Sequence, residues 1–385
     1  MIREITVTDT LIMNWINLYA LTSLLLCTSL SGLAESDTMI SGRVIDAETH
    51  ASLPFANIVH GHSGTTSNLD GQFVLTIHEQ VDSVYIEVKY MGYKSEQLTL
   101  AAGTTDLVIA MNNQTQMLND VKIYSAENVM ADVYSHHHLN YEYEDQLLES
   151  YYKESIRYGD NYYFIAEGIF DIYLPTIYSD NEVQVRAEKT RKKEFVLLDT
   201  VDMPMFSGHV HDMVQAASRR KTSFLDSENK DDYYFSKQDL TIYDGREVFE
   251  IHFEPRTKKG TASGTLFVDS ETKAVIRAEY YPIITHQDFW TRVKWIEEYK
   301  EIDGTCYIHR VSYLGEWTVD GRTYSMEALM LVTDFETIYE TPVLENTLAE
   351  EAIFFHEASS FSDTFWEGHT YIALSQKERQ SLAKK

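Results

Sequence analysis

The sequence predicts a mainly β protein: a seven-stranded β-sandwich over residues 38–124, then a larger curved antiparallel sheet over residues 145–385, with few helices. Three observations carry this. Up to residue 124 the apolar runs are short, alternate with polar residues and are separated by turn formers. Beyond residue 145 the runs lengthen and come in pairs around Gly-Asp-Asn or Asp-Gly steps, as consecutive hairpins do. The chain also holds 26 Tyr, a good strand residue, and its 17 Gly are scattered singly, chiefly at turns. At 385 residues it is long enough for two or three domains.

Residues 15–33 are mostly apolar and densest at Leu24-Leu25-Leu26, but Asn17, Thr22, Ser23, Thr28, Ser29 and Ser31 make them too polar for a membrane span. The run ends at Gly32-Leu33-Ala34 before Glu35, with small residues where a signal peptidase reads. Residues 1–34 therefore read as a cleaved secretory leader, with no transmembrane span in the mature chain. Arg3 is the only basic residue ahead of the run and Glu4 and Asp9 offset it, so either Met1 or Met13 can be the start. Leu26 is too large for a lipidation signal at Cys27, and the apolar run continues past that cysteine.

Lys and Arg total 32 against 60 Asp and Glu, a formal net charge of −28. Such a field repels phosphate backbones and excludes nucleic acid as a general partner. Only Cys27 and Cys306 are present, which excludes a disulfide framework and a Cys-rich zinc site.

Within residues 38–124, Val44, the run Phe73-Val74-Leu75-Thr76-Ile77, residues 84–88 and Leu107-Val108-Ile109 read as short strands. Gly71 accepts the positive φ of a tight hairpin after Asp70. Pro54 lacks an N–H and belongs at a strand edge or start. Gly42-Arg43-Val44-Ile45-Asp46, Leu53-Pro54-Phe55-Ala56-Asn57-Ile58, Thr66-Ser67-Asn68-Leu69-Asp70-Gly71-Gln72-Phe73, Tyr90-Met91-Gly92-Tyr93 and Leu118-Asn119-Asp120-Val121 follow in order. Together they resemble the carboxypeptidase-regulatory-like (transthyretin-like) domain. In Bacteroidetes envelope proteins that domain caps many outer-membrane receptors and surface proteins, so the resemblance implies an envelope address. It covers about a quarter of the chain, and the domain is the non-catalytic companion of some carboxypeptidases.

Ser125 can cap a linker helix over residues 126–140, with Val129 and Val133 at helical spacing. Residues 147–158 and 162–174 then flank Gly159-Asp160-Asn161 as a long hairpin. Further pairs flank Asp244-Gly245, residues 269–273, Asp303-Gly304 and Asp320-Gly321, making an antiparallel meander that must curl or be covered. Phe354-Phe355, Phe361 and Phe365-Trp366 read as aromatic anchors, and residues 374–382 as a terminal helix. The segments Glu149-Ser150-Tyr151-Tyr152-Lys153-Glu154, Ala166-Glu167-Gly168-Ile169-Phe170-Asp171-Ile172-Tyr173 and Gly264-Thr265-Leu266-Phe267-Val268-Asp269 resemble the region that follows the same cap in many Bacteroidetes proteins. The strand layout is similar to periplasmic lipoprotein carriers, whose curved sheet wraps helices around an apolar cavity.

A zinc carboxypeptidase uses a His-x-x-Glu pair and a distant His, and none of the fourteen His has Glu three residues later. His-Glu-x-x-His is absent too, although His78-Glu79 and His356-Glu357 supply its first half. The densest ligand-like cluster is His209-Val210-His211-Asp212. On a strand His209 and His211 would point the same way and could share a metal, but Pro204 and Gly208 favour a solvated loop. His136-His137-His138 on a helix diverge. Gly61-His62-Ser63-Gly64-Thr65 imitates a nucleophile elbow, yet Thr65 replaces the last Gly and no helix follows. No Gly-rich phosphate loop occurs. Glu297-Glu298 diverge on a strand.

Against the acidic background, Arg186, Lys189, Arg191, Lys192 and Lys193 cluster, as do Arg219-Arg220-Lys221 and Arg256, Lys258 and Lys259. If folding brought them to one rim they would hold an anionic group or a partner's acidic loop, whereas the plainer reading is that they blunt exposed strand edges. The expected protein is an exported, non-catalytic protein of the periplasm or outer membrane. It binds an apolar ligand such as a lipid, or an outer-membrane partner, and needs no cofactor. The alternatives are a hydrolase of peptides or glycans with a site scattered in sequence, and a glycan-binding accessory protein.

Overall fold

A computed structural model describes residues 38–61, 63–77, 80–114, 125–142, 144–176, 179, 181–195, 210–217, 224–284, 290–359 and 371–383. The expected leader, Cys27, the Leu118-Asn119-Asp120-Val121 motif, His209, Arg219, Arg220, Lys221, Phe361 and Phe365-Trp366 lie outside the described residues. Met39–Thr76 and Asp82–Lys385 cluster as one compact unit; of the other unit, Met1–Thr38 with Ile77–Val81, only the end residues of two strands enter below.

Seven strands build the N-terminal sandwich: β1 (Thr38–Asp46), β2 (Asn57–His60), β3 (Ser63–Thr66), β4 (Gln72–Ile77), β5 (Ser83–Lys89), β6 (Glu96–Ala101) and β7 (Leu107–Met111). They form two sheets, β4-β1-β7 and β3-β2-β5-β6, with β1 and β7 parallel. The period of two expected of half-buried strands is plain in β5, where Val84, Ile86 and Val88 are buried between Ser83, Tyr85, Glu87 and Lys89. The Asp70-Gly71 turn forms, with Gly71 at φ 74°, but it is no hairpin: β3 and β4 belong to different sheets, so the turn crosses the sandwich. Asn68 holds it, its side-chain oxygen accepting from the N–H groups of Asp70 and Gln72, both at 2.9 Å. Of the elbow-like stretch, Gly61 is a turn residue after β2 and Ser63 opens β3, while His62 lies outside the described residues.

Helix α1 (Ala126–Asn140) follows, its Asn128 N–H donating to the Ser125 side chain. Ten strands then make one curved antiparallel sheet. They are β8 (Asp145–Tyr158), β9 (Asn161–Leu174), β10 (Gln184–Glu194), β11 (Tyr233–Tyr243), β12 (Arg246–Pro255), β13 (Ala262–Asp269), β14 (Val275–Pro282), β15 (Arg292–Ile302), β16 (Thr305–Val319) and β17 (Arg322–Ile338). Spatially they run β10-β9-β8-β17-β16-β15-β14-β13-β12-β11, two meanders joined where the last strand pairs with the first. The Asp-Gly hairpins have both central residues at positive φ: Asp244 and Gly245 at 51° and 76°, Asp303 and Gly304 at 50° and 84°, Asp320 and Gly321 at 50° and 74°. This is the geometry whose twist matches paired strands, and it is why Asp-Gly recurs.

One face of the sheet is apolar. Tyr152, Ile156, Phe170 and Met330 pack with Val210, Met213 and Val214 of helix α2 (Val210–Ala217) and with Phe354 and Phe355 of the short helix α3 (Phe354–Glu357). Val129, Met130 and Val133 of α1 cover another stretch with Ile251, Phe253 and Leu266. The last helix is α4 (Gln376–Ala383). Among the described residues no helix is long and apolar enough to cross a membrane.

Candidate functional site

Residues opposite one another in a sheet share a face, so the register defines what the second face carries. One row reads Ile296, Ser312, Leu329, Lys153, Glu167, Arg191 across β15, β16, β17, β8, β9 and β10; another reads Glu298, Arg310, Leu331, Tyr151, Ile169. A third runs Lys294, Leu314, Glu327, Ser155. This face is rich in charge, yet the sandwich and residues 371–383 lie over it.

The charges are held by pairing. Glu298 is buried, accepts from Arg310 Nε at 3.0 Å and from Arg277 Nη1 at 2.6 Å, and has Arg310 Nη2 in ion-pair range at 2.8 Å. Burial alone would raise its pKa, but the two guanidiniums outweigh burial and hold the carboxyl below its usual value. Glu279 takes Arg277 Nη2 at 2.5 Å on one oxygen and Lys294 Nζ at 2.6 Å on the other. Its pKa too is lowered, burial being overcome by those cations. Arg157 pairs with Glu327 at 2.6 Å, and Lys153 pairs with Glu378 of α4. Burial acts to raise the Glu378 pKa, and Lys153 with the Ser375 N–H brings it below normal.

From the sandwich, the Phe55 ring lies 4.6 Å from the Arg310 guanidinium carbon. Phe55 sits at φ 63°, a conformation costing an L-residue about 1–2 kcal/mol. Ser67 holds it there: its carbonyl accepts from Phe55 N–H at 3.0 Å, and its hydroxyl accepts from Ala56 N–H at 2.9 Å and donates to the Leu53 carbonyl at 2.7 Å. Beside this contact Lys89 pairs with Asp244 at 2.7 Å and Gly92 N–H donates to the Ile242 carbonyl at 2.7 Å. The chain end is pinned to the sandwich as well. Thr65 donates to the Tyr371 carbonyl at 2.6 Å, Asn68 to the Ala373 carbonyl at 3.0 Å, and the Gln376 N–H to Asp70 at 2.6 Å.

Between these three walls lies a cavity of about 300 Å³. Leu314, Leu329 and Ile296 form its sheet side, Phe55 and Leu69 come from the sandwich, and Ile372 comes from the chain end. Lys153, Lys294, Arg310, Glu327 and Glu378 supply charged groups at its margin. The cavity is about half open, so the site can take an apolar body and meet a polar end, and the volume is at the small end of ligand cavities.

The residues singled out in the sequence lie elsewhere. His211 and Asp212 are in the first turn of α2, where a loop was expected, and His211 is buried. Val210, Met213 and Val214 explain the helix, since they repeat at i, i+3 and i+4 and bury one face. Among the described residues no three His, Cys, Asp or Glu are grouped to hold a metal ion. Arg186, Lys189, Arg191, Lys192 and Lys193 line β10, an edge of the sheet. Arg186 pairs with Asp171, Arg191 Nη2 with Glu167 at 2.5 Å, and Lys192 Nζ with the Phe355 carbonyl at 2.7 Å. Residues 343–359 lie along that edge, Leu348 N–H donating to Val185 and Lys192 N–H to Ser359. Arg256, Lys258 and Lys259 follow β12, beside the opposite edge strand β11, so they do not join β10. The sequence reading missed Lys153, Lys294 and Arg310, and weighed Glu298 only as a pair with Glu297. Their signal was present as charges four residues apart on one strand side, Lys153 with Arg157 and Lys294 with Glu298, but it reads as a water-facing strand side.

No curated protein matches the chain. Among solved structures it is similar to a putative outer membrane lipoprotein-sorting protein domain from Vibrio parahaemolyticus, at 11% identity over 57% of this chain and 96% of that one, with a TM-score of 0.30. A DUF1329 family protein from Desulfovibrio piger aligns at 13% identity, 53% and 92% coverage and a TM-score of 0.26. The Pseudomonas aeruginosa MucA/MucB complex aligns at 7%, 56% and 99%, with a TM-score of 0.18. Residues 40–123 match the family model described as the CarboxypepD_reg-like domain, and the N-terminal sandwich is a domain of that type.

Proposed function

We propose that this chain is an exported, non-catalytic binding protein of the bacterial cell envelope that encloses an apolar small molecule between its sandwich and its large sheet. The cavity of about 300 Å³ carries the reading, because its floor of Leu314, Leu329 and Ile296 offers apolar surface within walls built from three parts of the chain. Burial there would remove a ligand's apolar surface from water at roughly 25 cal/mol per Å². The address rests on residues 1–34 reading as a leader and on the CarboxypepD_reg-like sandwich. Native mass spectrometry after mild purification tests the reading, with titration of the neutral fluorophore N-phenyl-1-naphthylamine beside it. A bound apolar molecule, or saturable one-to-one fluorophore uptake, is expected. Leu329→Trp, which fills the floor, should abolish both. Uptake that is absent, or unchanged in Leu329→Trp, would overturn it.

A further inference from the structure

The charges around the cavity do not balance evenly. On the β14–β16 side, three cations, Arg277, Lys294 and Arg310, share two carboxylates, Glu279 and Glu298, in one hydrogen-bonded cluster. Arg310 donates through Nε to Glu298 and through Nη1 to Ser312 at 2.7 Å, has Nη2 in ion-pair range of Glu298, and lies under the Phe55 ring. Lys294 differs. Its ammonium has three donors; it donates to one oxygen of Glu279, a carboxylate that Arg277 also binds, and lies 5.9 Å from the Tyr281 ring. Lys294 lines the cavity. At the far wall, on β8, Lys153 is neutralised by Glu378, and Glu327 by Arg157. Among the charged residues that line the cavity, the β15–β16 end thus carries Lys294 and Arg310, and the β17–β8 end carries Lys153 with Glu327 and Glu378, in a chain whose net charge is −28; Glu250, within electrostatic reach of Glu279, lies outside that lining.

From this geometry we infer that the cavity takes a single-chain amphiphile with an anionic head, the head on Lys294 and the chain across Leu314 and Leu329 toward β8. The inference rests on the proposed apolar-ligand reading and adds the chemistry of the head. From β15 to β8 is three strand spacings, about 14 Å; an extended ten-carbon chain advances about 1.25 Å per bond, about 11 Å in all, and its head with the hydrogen bond to Lys294 covers the remaining roughly 3 Å. A carboxylate there gains a charge-assisted hydrogen bond away from bulk water, whereas an alcohol of equal length gains a neutral one and a quaternary ammonium is repelled.

The test displaces N-phenyl-1-naphthylamine from the full chain with decanoate, 1-decanol or decyltrimethylammonium at pH 7.5. In the wild type decanoate should compete at concentrations about tenfold lower than decanol, with decyltrimethylammonium the weakest. In Lys294→Met the decanoate-to-decanol ratio should fall to about one, while Lys294→Arg keeps the preference. A wild-type ratio near one, or a preference that survives in Lys294→Met, overturns the anionic head and leaves the apolar reading standing. Failure of the fluorophore and all three amphiphiles to bind overturns both.

Discussion

Replacing His309 by Gln should flatten the stability curve of this protein between pH 7 and pH 5. His309 is the extra residue of a bulge in β16, where pairing with β15 steps from Glu298–Arg310 to Tyr299–Ile308. It is 4% exposed, and its Nε2 finds no hydrogen-bond partner. Burial, aided by the nearby Lys300 ammonium, pushes its pKa down from 6.5 to about 3. The folded imidazole is therefore neutral across the whole interval, while the unfolded one takes up a proton near pH 6.5. Since the unfolded chain binds the extra proton, the contribution is complete above pH 6.5 and is lost as pH falls toward the folded pKa. From pH 7 to pH 5 the loss is about 2 kcal/mol. It is nearly the same for any folded pKa below about 4, because such a ring is still neutral at pH 5. Unfolded carboxylates, near 4, contribute little above pH 5. Urea unfolding followed by far-UV circular dichroism at pH 7, 6 and 5 reads the difference. The wild type should lose about 2 kcal/mol more than His309→Gln. Equal losses would mean that the folded ring is already solvated or charged, and would refute the burial argument.

Lys300 gives the opposite kind of variant. Burial and Lys89 lower its pKa to about 8, so the unfolded amine holds its proton more tightly and the wild type gains stability as pH rises from 8 to 10.5. Lys300→Met should stabilise by about 1–2 kcal/mol at pH 7 after allowing for solvent access, an advantage that urea titrations should show shrinking by pH 10. Glu298→Gln leaves the buried Arg310 without its carboxylate, Arg277 keeping Glu279, and should cost about 3–5 kcal/mol; a loss under 1 kcal/mol would show that water already reaches the cluster. Gly71→Ala puts a Cβ 2.5 Å from the Val44 carbonyl oxygen at φ 74°. It should lower stability by about 2–4 kcal/mol in the same titration.

Local chemistry was legible where local chemistry decides. Asp-Gly at three hairpins fixes two consecutive positive φ angles, and Ser125 at the head of α1 supplies an N-cap, so both were readable from neighbouring residues. The Val210, Met213, Val214 spacing of α2 was equally present, but Pro204 and Gly208 drew the reading to a loop. Asp70-Gly71 announced a turn correctly and its partner strands wrongly, because which sheet receives β4 depends on β1, about thirty residues earlier. The cavity was hidden for a related reason. A period of two tells which residues share a face and says nothing of what lies over that face. Lys153, Lys294 and Glu298 look like the water side of a sheet until the Phe55 turn and α4 are seen to cover them.

That cover bears on why the cavity exists. An apolar sheet face would let the sandwich pack solidly, and replacing buried ion pairs with well-packed apolar residues is often neutral or stabilising by about 1–4 kcal/mol. Stability alone therefore gives no reason to keep Arg310, Glu298, Arg277, Glu279 and Lys294 under a cap. Paired charges must keep their geometry, so the cover meets them at single points: Phe55 on Arg310 and Glu378 on Lys153. Between those points Leu314, Leu329 and Ile372 cannot reach one another closely enough to fill the space, and the cavity of about 300 Å³ is what remains. An apolar floor rimmed by charged groups is a poor way to build a core and a direct way to build a site with one polar end, which is the property an amphiphile would read.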